Sequence, residues 1–241
     1  AQRFSQFSQG AFDITYASAG CLYDYREGVA PSAAALEQGR AAIGWRGLEL
    51  DARTRSVKFA RPGMRIDLGG FAKGHAVDNA AAILMRHGIH HAHVAAGGDS
   101  RVIGDKRGRP WTIGVRDPRR ADGLTALLPL EDTAISTSGD YERFFEKNGV
   151  RHHHIVDPAT GASPSAVRSV TVLAPDGLTC EALSKTVFVL GVQRGMELIE
   201  SLAGVDAIVV DAAGGLHFSS GMSAGRTPAR RQQTTCTGGS S

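Results

Sequence analysis

Apolar residues recur at helical spacing in two long stretches of the chain. The first stripe consists of Val77, Ala80, Ala81 and Leu84, at the i, i+3, i+4 and i+7 positions of one helix face. Its helix is expected to end at Gly88. A second helix is predicted to begin with Thr179 as its N-cap and to stop at Gly191, with a short helix continuing to about Leu202. Each of these helices is expected to bury one face against a core.

Between the helices, short apolar segments predict strands. Residues 64–68 form one such segment and lead through Gly69-Gly70 into the first helix. The Asn148-Gly149 pair tolerates the positive φ of a tight turn and predicts a hairpin. Further strands are predicted at 48–51, 56–59, 93–95, 100–103, 111–115, 124–130, 134–137, 141–146, 150–156, 169–173, 207–210 and 216–219. This irregular alternation favours an α+β fold with mixed, largely antiparallel sheets and packed helices over a doubly wound parallel fold.

Composition and charge narrow the class of protein. The chain has 241 residues, 42% hydrophobic and 21% charged, which is typical of globular proteins and excludes disorder, collagen and coiled coil. Its three cysteines are too few for a disulfide framework, and no apolar run approaches the ~18 residues that cross a bilayer. The net charge of +3 equals the three arginines of residues 224–241, where no acid occurs. The remaining chain is neutral, which argues against a nucleic-acid partner.

We therefore predict one domain over residues 1–223 and a disordered polar tail over 224–241. The tail is rich in glycine, serine and threonine and has no hydrophobic periodicity. Without the tail, residues 1–223 are still long enough to bury one large hydrophobic core without disulfides.

The sharpest local feature is the segment DLGGFAKG at residues 67–74, which places a glycine turn between Asp67 and Lys73 at the start of a helix. Backbone N–H groups at a helix N-terminus, together with a nearby lysine, form a site suited to a phosphate. The alternative is a plain glycine turn with Lys73 in solvent.

Two other segments carry candidate chemistry. The sequence Gly-Gly-Asp at 97–99 suits either a tight hairpin or a close backbone approach to a ligand.

In the run of three histidines, strand alternation sends His152 and His154 to one face and His153 to the other, which argues against a three-histidine zinc site. Two histidines on one face could bind a metal, or one could transfer a proton near neutrality. The alternative is one buried, hydrogen-bonded histidine and two exposed ones.

Two further features have ordinary structural explanations when taken alone. Glu181 and Lys185 stand four residues apart on the second predicted helix, where such a pair is usually exposed and contributes about 0.2–0.5 kcal/mol. Asp157 begins a segment typical of a turn, in which its side chain could cap the turn or face a ligand.

The order of these segments is more specific than any one of them. The matching segments are AFDIT at 11–15, DLGGFAKGHAVD at 67–78, AAGGDSR at 95–101, GRPWTIGVRDP at 108–118, STSGDYERFF at 136–145, HHIVDPATG at 153–161 and EALSKTVFVLG at 181–191. Together they resemble the ApbE family of FAD:protein FMN transferases over residues 10–222. The resemblance implies a T-fold-like ApbE architecture. It also implies Mg²⁺-assisted transfer of FMN from FAD to a threonine or serine hydroxyl of an acceptor flavoprotein, with release of AMP.

The same resemblance assigns roles to individual residues. The FAD contacts that it implies are Ala11, Phe12, Asp13, Asp67, Lys73 and Ile155. It implies His154 as the base or phosphate contact, with Asp157 beside it as the second catalytic residue. The metal positions that it implies are the main-chain carbonyl of Gly70 and the side chains at 181 and 185.

The chain departs from the family pattern at two metal positions. Position 181 is usually Asp and position 185 usually Thr, whereas this chain has Glu181 and Lys185. A charged ammonium has no lone pair and cannot coordinate Mg²⁺. We expect Lys185 either to occupy the cation's place as a fixed positive charge or to turn away.

The family pattern also includes an N-terminal segment that helps to enclose the flavin and that is absent ahead of residue 11, so we expect a shortened chain or a more open flavin cleft. The resemblance further implies a periplasmic or membrane-anchored location in a bacterium. Two alternatives to transfer stay open: an FAD pyrophosphatase that gives FMN and AMP, and a non-catalytic FAD-binding protein.

Overall fold

A computed structural model of the chain describes residues 1–120 and 122–223. The predicted tail at 224–241 lies outside the described residues. The helices are α1 Gln2–Phe7, α2 Ala17–Gly20, α3 Ala33–Ala41, α4 Ala72–Arg86, α5 Gly177–Glu200 and α6 Ser220–Ser223. The strands are β1 Leu48–Asp51, β2 Ser56–Phe59, β3 Ala92–Ala96, β4 Asp99–Ile103, β5 Trp111–Arg116, β6 Leu124–Leu130, β7 Ala134–Gly139, β8 Phe144–Lys147, β9 Val150–His153, β10 Val167–Ala174, β11 Asp206–Asp211 and β12 Leu216–Phe218.

Six strands form the central sheet in the order β12-β11-β10-β7-β4-β3, and every neighbouring pair in it is antiparallel. The strand pairs β1-β2, β5-β6 and β8-β9 form separate two-stranded hairpins. The predicted α+β class with largely antiparallel sheets is therefore confirmed. None of the helices among the described residues combines the length and apolarity that a bilayer crossing demands.

The central sheet is covered on both faces, because its strands alternate apolar side chains between two core clusters. Val170 and Val172 of β10 pack with Leu183 and Phe188 of α5, and all four side chains are at most 1% exposed. Burying one such side chain stabilises the fold by about 1.5–3 kcal/mol. The helix layer is thus fixed to the middle of the sheet.

The opposite face of the sheet is covered by the β5-β6 hairpin. Leu173 of β10 and Ile208 of β11 point to this side, where Leu128 and Leu130 of β6 and Val115 of β5 meet them. Alternation along β10 and β11 therefore separates a helix-facing core from a hairpin-facing core.

Helices α4 and α5 approach closely at two glycines. A Cβ at Gly74 would lie 2.8 Å from the Leu178 nitrogen and still closer to the Gly177 carbonyl, so the two backbones touch. Each helix also caps the other. The Asp78 carboxylate of α4 accepts from the Gly177 and Leu178 N–H groups at 2.8 and 3.0 Å, and Glu181 of α5 accepts from the Gly74 N–H at 2.7 Å.

Most predicted elements are confirmed. The predicted Val77 stripe ends at the C-cap His87, with Gly88 at φ +77°, and Asn148 and Gly149 both have positive φ in the β8-β9 turn. At Gly191 the helix is interrupted by a non-helical residue with φ +78°, a conformation that favours glycine, as the predicted stop requires.

Three local predictions are wrong. Residues 64–68 form no strand, because their neighbours are the short helices near Ile14 and Ser18, which offer single hydrogen bonds instead of a ladder. The N-cap of α5 is Asp176, whose carboxylate accepts from the Thr179 N–H at 2.8 Å; Thr179 lies inside the helix. Strands β8 and β9 are shorter than the predicted 141–146 and 150–156.

Replacing Gly74 by Ala tests the glycine contact. Within a helix this change ordinarily stabilises by about 1 kcal/mol. Here the added methyl group would strike the α5 backbone, so we expect the free energy of unfolding to fall by about 1–3 kcal/mol. Urea denaturation measures it. The matched control is Ala76→Gly on the exposed side of α4, where propensity alone predicts a loss of about 1 kcal/mol. A stabilising Gly74→Ala substitution would contradict the contact.

Candidate active site

The glycine turn ahead of α4 is built by local hydrogen bonds. The Asp67 carboxylate accepts from the Gly69 N–H at 2.6 Å, which closes the turn. Gly70 lies against the Phe12 ring, where a Cβ would come within 3.1 Å of it. Helix α4 has no side-chain cap of its own, and the Gly74 N–H is satisfied by Glu181 from α5. The turn therefore delivers to the site a helix start whose Phe71 and Ala72 N–H groups bond the Leu68 carbonyl and whose Gly74 N–H is capped by Glu181.

Lys73 extends from this first helical turn to two carboxylates. Its Nζ lies 2.5 Å from Asp99 Oδ2, an ion pair whose angle falls short of a hydrogen bond, and 3.9 Å from Glu181 Oε1. Asp99 is 1% exposed, whereas the Lys73 side chain is 48% exposed. Gly97 has φ +64°, which lets the β3-β4 turn pass beside the lysine. About half of the Lys73 side chain thus remains accessible to solvent.

Lys185 also points toward Glu181. Its Nζ lies 3.3 Å from Glu181 Oε1 and 3.5 Å from the Glu181 carbonyl oxygen. Glu181 is fully buried, so the interpretation of this pair as an exposed surface pair is wrong. Burial lowers the pKa of Lys185, while the negative charges of Glu181 and Asp99 oppose that shift. We call Lys73, Asp99, Glu181 and Lys185 the charged cluster; it pairs two ammonium groups with two buried carboxylates.

A chain of serine hydroxyls ties the charged cluster to the sheet. Ser136 of β7 donates to Asp99 Oδ1, and its hydroxyl lies 3.3 Å from that of Ser184 on α5. Ser184 is also 2.8 Å from the Ser138 hydroxyl and donates to the Glu181 carbonyl at 3.0 Å. Because all three hydroxyls are buried and paired, the Asp99 carboxylate is held in a fixed position.

The three positions that the resemblance assigns to a metal do come together. A Cβ at Gly70 would lie 3.6 Å from Lys185 Cδ, and the Lys185 ammonium reaches Glu181. The ammonium takes the Glu181 oxygen that a cation would need, and the other Glu181 oxygen is bound to the Gly74 N–H. Among the described residues, no group of three or more His, Cys, Asp or Glu side chains could hold a metal ion. This donor set does not fit Mg²⁺.

Strand alternation separates His152 from His153 within β9, as predicted, whereas His154 lies beyond the end of the strand. His153 is 2% exposed, contacts the Pro164 carbonyl through Nε2 at 2.9 Å and meets the Phe188 ring edge-on. His152 stacks on Phe145 with the ring centroids 4.9 Å apart. His152 and His153 therefore have different surroundings.

His154 lies just beyond β9 and near the charged cluster. Burial, followed by the positive charge of Lys185, lowers the pKa of His154 to about 4, so the imidazole is neutral at pH 7. Its Nδ1 is buried without a hydrogen-bond partner among the described residues. Its backbone N–H donates to the Arg143 carbonyl at 3.1 Å. The unpartnered Nδ1 marks a polar group that a ligand could satisfy.

Arg143 also connects this region to the glycine turn. Burial raises the pKa of Tyr16 to about 12, with Asp67 adding to the shift and Arg143 opposing it. Tyr16, Asp67 and Arg143 therefore share one electrostatic neighbourhood.

Other residues that the resemblance implies as ligand contacts have structural partners. Asp13 accepts from the Thr15 N–H and hydroxyl at 2.8 and 2.7 Å and from the Trp45 N–H at 2.8 Å. Phe12 packs in a core cluster with its ring 6.2 Å from that of Phe71.

The remaining assigned residues lie in the core or in turns. Ile155 is 5% exposed and belongs to the core beneath α5, and Ala11 is half-buried next to Phe12. The Asp157 carboxylate bonds the Ala159 N–H and the Thr160 hydroxyl, both within its own turn. The contribution of these residues to ligand binding or catalysis stays a prediction.

Sequence reasoning missed several residues of the site. The segment at 97–99 predicts a tight hairpin or a close backbone approach to a ligand, and neither alternative assigns the Asp99 side chain to Lys73. Ser136, Ser184 and Arg143 carried no local signal, because only the packing of α5 on β7 and of the chain near Tyr16 brings them to the site.

A separate groove of about 990 Å³ lies beside α1 and the ends of α4 and α5. Its lining includes Arg3, Phe4, Asp78 and Arg101 but no member of the charged cluster. The chemistry described above therefore belongs to a different surface.

Comparison with known proteins identifies the family. The model of the ApbE family matches residues 1–209. The chain therefore belongs to the ApbE family.

Individual relatives agree with this assignment. A protein named FAD:protein FMN transferase from Treponema pallidum is 33% identical over 225 residues, which cover 86% of this chain and 62% of the relative. A protein of the same name from Vibrio cholerae is 35% identical over 206 residues, which cover 83% and 61%. The chain thus spans about three fifths of the length of these two curated relatives.

Solved structures share the fold. The crystal structure of the ApbE protein from Thermotoga maritima superimposes with a TM-score of 0.84 at 36% identity, covering 92% of this chain and 74% of that one. The flavin transferase ApbE from Vibrio cholerae gives a TM-score of 0.81 at 30% identity, covering 93% and 74%. The predicted ApbE architecture is confirmed.

The buried neutral His154 predicts a pH-dependent stability. Because its pKa falls from 6.5 to about 4 on folding, the unfolded chain binds a proton in this range that the folded chain does not. The contribution of this imidazole to the free energy of unfolding is fully present above pH 6.5. It is lost as the pH falls toward 4, by about 3 kcal/mol, because protonation then favours the unfolded chain. Urea unfolding across this range should show a shallower pH slope for His154→Asn.

The exposed His87→Asn provides the control for this measurement and should keep the wild-type slope. An unchanged slope in His154→Asn would show that this imidazole is not held neutral by its surroundings.

Proposed function

We propose that this chain binds FAD with its diphosphate at the charged cluster and transfers FMN to a threonine or serine hydroxyl of an acceptor flavoprotein. The observation that carries the proposal is the placement of Lys73, half-exposed and anchored to buried Asp99, in the first turn of α4 beside the glycine turn. A fixed ammonium at a helix N-terminus, where the helix dipole adds partial positive charge, is suited to a diphosphate.

The proposed reaction is a displacement at phosphorus. The acceptor hydroxyl oxygen attacks the phosphorus on the riboflavin side of the diphosphate and forms a P–O bond. The P–O bond to the bridging oxygen breaks, and AMP leaves with that oxygen. The hydroxyl proton passes to a base, so that FAD and acceptor give FMN-acceptor, AMP and a proton. Rate then depends on holding the diphosphate still and compensating its charge.

The charged cluster would position the diphosphate and compensate its charge through ammonium groups that two carboxylates hold in place, although the cluster as a whole is neutral. Asp99 and Glu181 fix the two ammonium groups, which then need not reorganise when an anion arrives. Lys73 is half-exposed and would contact the diphosphate directly. The divalent cation that the resemblance implies has no fitting donor set here, and no step is assigned to it.

His154 is the proposed base. With a pKa of about 4 in the free chain it is neutral but weakly basic. A bound diphosphate would oppose the effect of Lys185 and raise that pKa toward the range in which a base works at neutral pH. Arg143, close to both His154 and Asp67, would contact the second phosphate or the ribityl chain.

Similarity to proteins named FAD:protein FMN transferase supports FAD as substrate and a flavoprotein as acceptor. A periplasmic or membrane-anchored location in a bacterium is also part of the proposal, and it rests on the family resemblance alone.

Incubation with FAD and an acceptor flavoprotein tests the function. We expect a fluorescent acceptor band on a denaturing gel and one AMP released for each FMN attached. Lys73→Met should slow transfer by about a hundredfold, the scale of one lost electrostatic contact to the reacting group. Lys58→Met, at an exposed lysine paired with Glu49, is the matched control and should transfer at the wild-type rate.

Three results would contradict transfer. A dark acceptor band from a folded chain, in the presence of an active ApbE relative as positive control, would exclude it. AMP release that needs no acceptor would instead support the pyrophosphatase alternative. FAD binding without AMP release would support the non-catalytic alternative.

A further inference from the structure

We infer that the ammonium of Lys185 takes the place of a divalent cation in this chain, so that the site binds the diphosphate of a dinucleotide without Mg²⁺. This inference rests on the proposed function for the identity of the dinucleotide as FAD. Its metal half stands on the geometry of Lys185, Glu181 and Gly70 alone.

Position is the first argument. The Lys185 side chain runs beneath the glycine turn, since a Cβ at Gly70 would touch its Cδ at 3.6 Å. From there its Nζ reaches Glu181 Oε1 at 3.3 Å. The side chain therefore fills the space between the turn and the only carboxylate among the three positions that the resemblance assigns to a metal.

Saturation of the carboxylates is the second argument. Glu181 Oε2 is bound to the Gly74 N–H at 2.7 Å, and Glu181 Oε1 faces Lys185. Asp99 Oδ1 accepts from Ser136, and Asp99 Oδ2 is paired with Lys73. All four carboxylate oxygens have a cationic or hydrogen-bonding partner, whereas Mg²⁺ demands free oxygens at about 2.0–2.1 Å in octahedral geometry.

Charge is the third argument. The two carboxylates are already balanced by two ammonium groups, so an added divalent cation would meet a neutral cluster. It would also be repelled by the Lys185 ammonium, which lies next to Glu181, the nearest carboxylate ligand. A diphosphate approaching the same cluster meets the half-exposed side chain of Lys73. The cluster is thus arranged for an anion and against a second cation.

The first experiment uses the metal alone. Isothermal titration of the purified chain with MgCl₂, and with MnCl₂ followed by electron paramagnetic resonance, should show no saturable binding. Lys185→Thr frees Glu181 Oε1 and adds a hydroxyl oxygen, so it should gain a binding site. Saturable Mg²⁺ binding by the wild-type chain, as tight as in Lys185→Thr, would overturn the inference whatever the outcome with FAD.

The second experiment measures FAD affinity by flavin fluorescence in EDTA and in MgCl₂. Wild type should bind equally well in both. Lys185→Met removes the charge without offering an oxygen, so it should lose affinity in both by about tenfold or more, the scale of one lost charged contact. Lys185→Thr should lose affinity in EDTA and recover it in MgCl₂. Lys185→Arg should retain affinity in EDTA.

Lys58→Thr is the matched control, since it removes an exposed lysine from another lysine–glutamate pair and should behave as wild type. Thermal unfolding identifies any variant that fails to fold, and Lys185→Arg then carries the test. Wild-type binding of FAD only in MgCl₂ would overturn the inference and leave the proposed function standing. Absence of FAD binding in both buffers would overturn the proposed function and the inference that the site binds a dinucleotide. The metal titration would still decide whether Lys185 takes the place of the cation.

Discussion

The close backbone contact between Gly74 and Gly177 is the constraint on which the rest of the site depends. Only because neither residue has a side chain can α4 and α5 come near enough for each to cap the other. That reciprocal capping turns the Glu181 carboxylate toward the start of α4, and it fixes the place where Lys73 leaves the helix. A longer distance between the helices would leave Glu181 buried with one unsatisfied oxygen, at a cost that no fold tolerates easily.

Burial of two carboxylates carries a large desolvation free energy. The ammonium groups and hydrogen bonds that offset it form the charged cluster, which is the candidate binding surface. Asp99 and Glu181 are each matched by an ammonium and by hydrogen bonds from the protein. Such a network adds little net stability compared with an apolar core, but it holds its charges in defined positions. Such preorganisation is what the proposed displacement at a diphosphate would require. The same balance of charge explains why a further cation is poorly accommodated.

Much of the fold could be predicted from local pattern. The Val77 stripe, the break at Gly191 and the turn at Asn148-Gly149 depend on the periodicity and backbone freedom of the residues themselves. Predictions failed where a neighbour distant in sequence decided the outcome. The segment at 64–68 has strand-like composition, but the chain beside it offers no ladder of hydrogen bonds.

The candidate site divides in the same manner. The sequence by itself determined the glycine turn with Lys73, the departure at Glu181 and Lys185, and the separation of the two histidines of β9, because each follows from spacing or from the chemistry of one side chain. Only the tertiary structure decided that Glu181 is buried, that Asp99 is the partner of Lys73, and that Ser136 and Ser184 join them. The physical reason is that burial and charge pairing belong to surfaces brought together by packing of α4 and α5 on the sheet. Residues as far apart in sequence as Lys73 and Glu181 carry no mark of that proximity in their local pattern.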